Sequence, residues 1–268
     1  MQDLTISFIG GGNMAEGLIS GLVQSGHPPA SIIVSDINPD RPAHLHQAYN
    51  IVAGSSNGQS VAKADVLLLA VKPQAMEAMV KNIKEEISAS TTVISIAAGI
   101  GSKDLQSWLG AEASLVRAMP NTPCLVGAGM SVLFARPSIA SGHRSRAEYV
   151  LSTSGEVAWV EKEKLLHAVT AISGSGPGYY FLLSEVIEAT AVSLGLSEEL
   201  ASKLVRQTAF GSGKMLVESG RSASELRQQV TSPGGTTQEA LDMMYDRGLL
   251  DIIRAAVQAA EKRSKELT

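Results

Sequence analysis

Up to about residue 162, short runs of β-branched and aliphatic residues alternate with stretches of helical periodicity. The runs LTISFIG (4–10), SIIVSD (31–36), ADVLLLAV (64–71), TTVISIA (91–97), SLVRAM (114–119) and MSVLFA (130–135) predict strands, and VAWV (157–160) predicts a last edge strand. The middle runs are apolar on both faces, as a parallel sheet covered by helices requires. Helical stretches separate the earlier ones, which is the βαβ rhythm of a doubly wound α/β domain. Beyond residue 162 the strands stop. The remainder reads as helix, interrupted at 194–199 (LGLSEE), 218–225 (ESGRSASE), 231–237 (TSPGGTT) and 246–248 (DRG). Two domains are therefore expected, 1–162 and 163–268, with no flexible linker between them.

The helix expected from Tyr179 to Leu194 places Tyr180, Leu183, Ile187, Ala191 and Leu194 on one stripe, and Leu182, Val186 and Ala189 on another side. A helix apolar over most of its circumference must be buried on more than one face. The helical half is small, so a partner subunit is the economical cover. Glu185 and Glu188 near its middle argue against a membrane span.

The turn after the first strand carries chemistry. Gly10-x-Gly12-x-x-Ala15 follows a strand and opens a helix through Asn13 and Met14, and Asp36 ends the second strand. Gly10 makes a sharp turn, Gly12 admits a pyrophosphate close to the backbone, and Ala15 keeps helix near strand. Strand, helix and acid together indicate a dinucleotide site. Asp36 favours a ribose 2′-hydroxyl and hence NAD, whereas Arg41, with Ser35 and Asn38, could embrace a 2′-phosphate if Asp36 turns away; both remain open.

Further motifs fall at strand ends. In AVKPQ (70–74), Ala70 closes a strand, Pro73 starts a helix and Lys72 stands at the sheet's carboxyl edge, as a ligand contact or as a solvated lysine. In SIAAGI (95–100), Ala97 and Ala98 leave room for a flat ring or make a tight loop. RAMPNTP (117–123) is rigid, and SGSGPGYY (173–180) lies at the junction of the halves. TSPGGTT (231–237) has more than a helix cap needs: either a redundant cap, or bare amides meant for an anion.

Composition narrows the class. A net charge of −4 with scattered Lys and Arg argues against nucleic acid or an anionic membrane as partner. The single cysteine, Cys124, permits no intrachain disulfide and points to a reducing, cytoplasmic setting; it is expected to be a small buried residue. No export signal is visible. The five histidines show no metal spacing, with His44 and His46 expected as a solvated pair on a helix. Oxidising an alcohol needs a base in the cleft, and no histidine lies in these motifs. A C=N substrate removes that requirement.

GGGNMA (10–15), AVKPQ, SIAAGI, MPNTP (119–123), SGSGP (173–177) and TSPGGTT occur in the order seen in pyrroline-5-carboxylate reductases, and the resemblance spans nearly the whole chain. It departs at Gly178, where the family usually has Ala. The resemblance implies a Rossmann-like N-terminal sheet followed by an all-helical C-terminal dimerisation domain. It also implies reduction of a cyclic imine to proline with NADP, or NAD, and no metal. Residues Gly10, Gly12, Asn13, Met14, Asp36, Asn57, Ala70, Lys72, Pro73, Ala97 and Ala98 would meet the cofactor. Ser232 and Gly234 to Thr237 would hold the substrate carboxylate, with the Thr237 hydroxyl meeting the ring nitrogen. The helical halves would form an interlocked homodimer, one subunit's loop completing the other's cleft, and rings of dimers are a further possibility within the family.

Overall fold

The computed structural model describes Met1 and residues 3–267. Eight strands form one sheet: β1 (Ile6–Ile9), β2 (Ile32–Ser35), β3 (Val52–Ala53), β4 (Val66–Leu69), β5 (Thr92–Ser95), β6 (Ser114–Met119), β7 (Gly129–Ala135) and β8 (Gly155–Trp159). Their order is β3-β2-β1-β4-β5-β6-β7-β8. Pairing is parallel except between β6 and β7. The order reverses between β1 and β4, where doubly wound sheets bind dinucleotides. All six expected strands are present, and the edge strand β8 takes in the first three residues of VAWV and starts two residues earlier. The short, exposed β3 and the reversal at β7 were not expected.

Seven helices accompany the sheet: α1 (Asn13–Gln24), α2 (Asp40–Tyr49), α3 (Asn57–Val61), α4 (Pro73–Ile83), α5 (Ser102–Leu109), α6 (Ser141–Ser152) and α7 (Leu165–Val169). They divide the core into two layers. On one face Phe8, Leu18, Leu22, Val34, Leu68 and Ile94 pack with α6 through Val150 and Leu151. On the other, Ile9, Leu67, Leu69 and Val93 pack with Met76, Val80 and Ile83 of α4 and Leu105 of α5. Successive residues of β1 and β4 serve opposite layers, which is why those runs are apolar throughout.

The remaining helices are α8 (Gly176–Ser193), α9 (Glu198–Glu218), α10 (Ala223–Gln229), α11 (Thr236–Asp246) and α12 (Leu249–Glu266). Each expected break separates two of them. The chain forms two compact units: Met1–Ser175 together with the segment from Ala260 onward, and Gly176–Ala259. The strands end close to the expected division at 162/163, but the first unit runs on because α7 packs against β7, with Leu166 buried beside Val132 and Phe134. In the second unit α8 packs on α9 and still exposes Tyr180, Phe181, Leu182, Leu183, Val186 and Ile187. Among the described residues no helix is long and apolar enough to cross a membrane, and no group of three or more His, Cys, Asp and Glu could hold a metal.

Candidate active site

Gly10 takes φ +102°, and a Cβ placed there would stand 2.6 Å from the Ala70 carbonyl oxygen at the end of β4. Its N–H donates to the Ser35 carbonyl (2.8 Å), so the glycine turn is fastened to the end of β2 as well. Gly12 caps α1 with extended backbone and no side-chain cap, and a Cβ on it would meet only open space. The first amides of α1, from Asn13 and Met14, thus begin at an uncovered helix N-terminus of the kind that receives phosphates. At the end of β2 the buried Ser35 Oγ has no hydrogen-bond partner among the described residues. Such a hydroxyl calls for a ligand or water. A dinucleotide fits this cradle.

Asp36 and Arg41 grip Gly11 from both sides. The Asp36 carboxylate accepts from the Gly11 N–H (2.7 Å) and, through its other oxygen, from the Asn38 N–H (2.9 Å). The Arg41 Nε donates to the Gly11 carbonyl (2.7 Å) and its Nη2 to Glu16 in the first turn of α1 (2.8 Å). That guanidinium holds the Glu16 carboxyl below its usual range, outweighing the effect of burial. The two residues read as rivals over a ribose or a 2′-phosphate therefore also shape the glycine loop. Replacing Arg41 by Ala is expected to raise KM for NADPH and NADH alike, by about tenfold, for the loss of charge-assisted bonds. Steady-state kinetics with each cofactor checks this; a rise confined to NADPH would assign Arg41 to the 2′-phosphate alone.

The other expected cofactor residues lie at strand ends or helix starts. Lys72 is exposed and caps α4, with Pro73 at its first position, as the sequence predicts. Asn57 is the first residue of α3, behind the Ser56 cap. Ala97 and Ala98 follow β5 and line a narrow crevice with Met119, His167, Thr170 and Ser264. His167 was not foreseen, since it lies outside every motif. Its Nδ1 is 3.0 Å from the Ser264 Oγ.

MPNTP has a structural use. Asn121 Nδ2 donates to the Ser173 carbonyl (3.0 Å) and its Oδ1 accepts from the Met130 N–H (2.8 Å). This ties the end of β6 to the π-helical turn Thr170–Gly174, which runs into the first two residues of SGSGP. The following 3-10 turn packs Cys124 against α1, its Sγ 3.5 Å from the Met14 sulfur. Burial pushes the Cys124 thiol up, so it is an unreactive packing group, as expected. His44 and His46 are exposed on α2, His44 3.5 Å from Glu16 and His46 Nδ1 2.6 Å from the Ile51 carbonyl.

In the second unit, α11 starts at Thr236 with Gly235 as its cap and no side-chain cap hydrogen bond. Thr236 is the first helical residue and does not cap the helix. Gly234 takes φ +69°, and the Gly235 N–H donates to the Ser232 carbonyl (2.9 Å), closing the turn. The Gly235 amide is thus engaged within the turn, and Thr236 and Thr237 are the first two residues of the helix. Ser232, Pro233 and Gly234 are exposed and Thr237 is half-buried.

Two family models match the chain. One, described as pyrroline-5-carboxylate reductase dimerisation, covers residues 163–267; the other, NADP oxidoreductase coenzyme F420-dependent, covers residues 5–99. A pyrroline-5-carboxylate reductase of Pseudomonas aeruginosa is 42% identical over 267 residues, covering 100% of this chain and 98% of that protein. The structure of a Coxiella burnetii pyrroline-5-carboxylate reductase superposes with a TM-score of 0.92 at 38% identity, over 99% of this chain and 98% of the other. A Plasmodium falciparum pyrroline carboxylate reductase with NADP bound gives 0.88 at 30% identity, over 100% and 99%. With the cradle, the uncapped loop and full-length matches in agreement, the chain belongs to the pyrroline-5-carboxylate reductase family.

Proposed function

We propose that this chain reduces 1-pyrroline-5-carboxylate to L-proline, the last step of proline biosynthesis, using NADPH, with NADH as an alternative reductant. The observation that carries the reading is the turn at Ser232–Gly235, which leaves α11 without a side-chain cap. A bound reduced nicotinamide supplies the hydride. Gly10, Gly12, Asn13, Met14, Asp36, Asn57, Ala70, Lys72, Pro73, Ala97 and Ala98 are the residues assigned to that cofactor. The amides of Thr236 and Thr237, at the positive end of α11, take the substrate carboxylate with the Ser232 hydroxyl, while Gly234 and Gly235 shape the turn. The Thr237 hydroxyl can both accept and donate. It accepts the iminium N–H and then donates to the lone pair that develops on nitrogen as hydride reaches the adjacent carbon. Orientation of the two reactants supplies most of the rate, so the site needs no strong base.

The helical units pair in an interlocked homodimer in which one subunit's 230–237 loop completes its partner's cleft, and dimers assemble further into rings. A lone cysteine suits a cytoplasmic enzyme. Steady-state oxidation of NADPH and then NADH with pyrroline-5-carboxylate tests the activity and the preference; oxidation of neither sinks the reading. Replacing Thr237 by Ala is expected to lower kcat by about tenfold, the worth of one hydrogen bond in a dry site. An unchanged kcat removes Thr237 from the mechanism.

A further inference from the structure

The last turns of α12 leave the unit to which the rest of that helix belongs. From Ala260 onward the chain packs with the N-terminal unit, and Ser264 is the buried residue of an otherwise largely exposed helix. Its hydroxyl stands 3.0 Å from Nδ1 of His167 on α7. Nearby, Gly99 takes φ +78°, and a Cβ there would lie 2.7 Å from the Leu267 carbonyl oxygen and 3.1 Å from Leu267 Cβ. Only a glycine lets the loop after β5 settle this closely on the C-terminal backbone. Ala97, Ala98, Gly99, His167 and Ser264 all line one crevice. The far end of the same loop is pinned separately, where Glu163 accepts from the Ser102 N–H at the start of α5 (2.6 Å).

We infer that the C-terminal segment 260–267 is a positioning element for the reaction, acting through the His167–Ser264 hydrogen bond and the Gly99–Leu267 contact on the Ala97–Ala98 wall. This rests on the proposed function, in which Ala97 and Ala98 meet the cofactor, and takes the flat ring they leave room for to be its nicotinamide. The grip on the dinucleotide lies elsewhere, on the glycine turn and the ends of β2 and β4. A loosened wall therefore misorients the ring without releasing the cofactor. Displacement on the ångström scale at reacting atoms costs up to about a hundredfold in rate. His167 and Ser264 act through the loop and are positioning residues.

The test uses the full-length enzyme with His167→Ala, Ser264→Ala, the double variant and His167→Asn, whose amide can keep a hydrogen bond to Ser264. Expected are a fall in kcat of about tenfold in each Ala variant, cofactor KM within about threefold, and no further fall in the double variant, as for partners in one interaction. The deuterium isotope effect on kcat with 4-deuterated NADPH should rise, and Asn should recover most of the rate. Melting temperature falling with kcat and isotope effect unchanged would make the contact merely structural. Loss of rate in His167→Asn with Ser264→Ala unaffected would instead place His167 on the substrate. Either result overturns the inference, whereas an inactive wild-type enzyme would overturn the proposed function.

Discussion

Replacing Gly10 by Ala is expected to abolish measurable cofactor binding and to lower stability by about 3–5 kcal/mol, toward the upper end for single substitutions. Two costs coincide. The backbone at φ +102° is one that residues with a Cβ rarely adopt, and the new methyl would be forced to 2.6 Å from the Ala70 carbonyl oxygen and 2.7 Å from its carbon. The obstacle is the backbone directly after β4, a central strand paired on both sides, so it cannot step aside as a flexible side chain would. Relief must come from the glycine turn, and moving it disturbs Gly11, which Asp36 and Arg41 grip. Thermal unfolding and a fluorescence titration with NADPH read the two effects. Near-wild-type affinity would show that the turn has room which these distances deny.

Replacing Glu163 by Gln should cost roughly 3 kcal/mol, the lower end for breaking a buried ion pair because Glu163 is 29% exposed while Arg117 is 10% exposed. Arg117 lies within β6, its Nη1 2.6 Å from the carboxylate, and Ser102 donates to that carboxylate through both N–H and hydroxyl. Burial alone would raise the Glu163 carboxyl. The hydrogen bonds from Ser102 and Arg117, with the charge of Arg117, outweigh it and hold the group below its ordinary 4.5. A carboxyl depressed in the folded state binds fewer protons there than in the unfolded chain, so its contribution is complete above that ordinary value and is lost as pH falls below it. The gap in melting temperature between wild type and Glu163→Gln should be steady from neutral pH down to about 5 and should close in more acid solution. A gap independent of pH would show that shape, not charge, holds this corner.

Much of this was legible in the sequence because apolar periodicity reports which faces are buried. It located six strands, the edge strand and the four breaks among the C-terminal helices. It could not report strand direction, so the reversal at β7 went unseen, and a two-residue strand such as β3 has no period to read. The glycine motif was legible because close backbone approach demands particular residues. The partners of Asp36 and Arg41 were not, since a charge near a phosphate site can serve ligand or loop equally well. Arg117 inside an apolar strand was a signal of a buried partner, but Glu163 sits in the charged run EKEK (161–164), where nothing distinguishes it from its neighbours. His167 and Ser264 are 97 positions apart, and only folding brings them together.

The exposed flank of α8 has a consequence for handling the enzyme. Tyr180, Phe181 and Leu182 are each more than 60% exposed within one chain. A dimerisation region that leaves this surface uncovered draws part of its stability from association, and association obeys mass action. Each tenfold dilution then weakens the assembled, folded state by about 1.4 kcal/mol per mole of dimer. Dilution acts on this protein much as a mild denaturant would. Its melting temperature should rise with protein concentration, and specific activity should decay in assays run at the lowest enzyme levels. A melting temperature constant over a thousandfold range of concentration would mean that each chain covers α8 by itself.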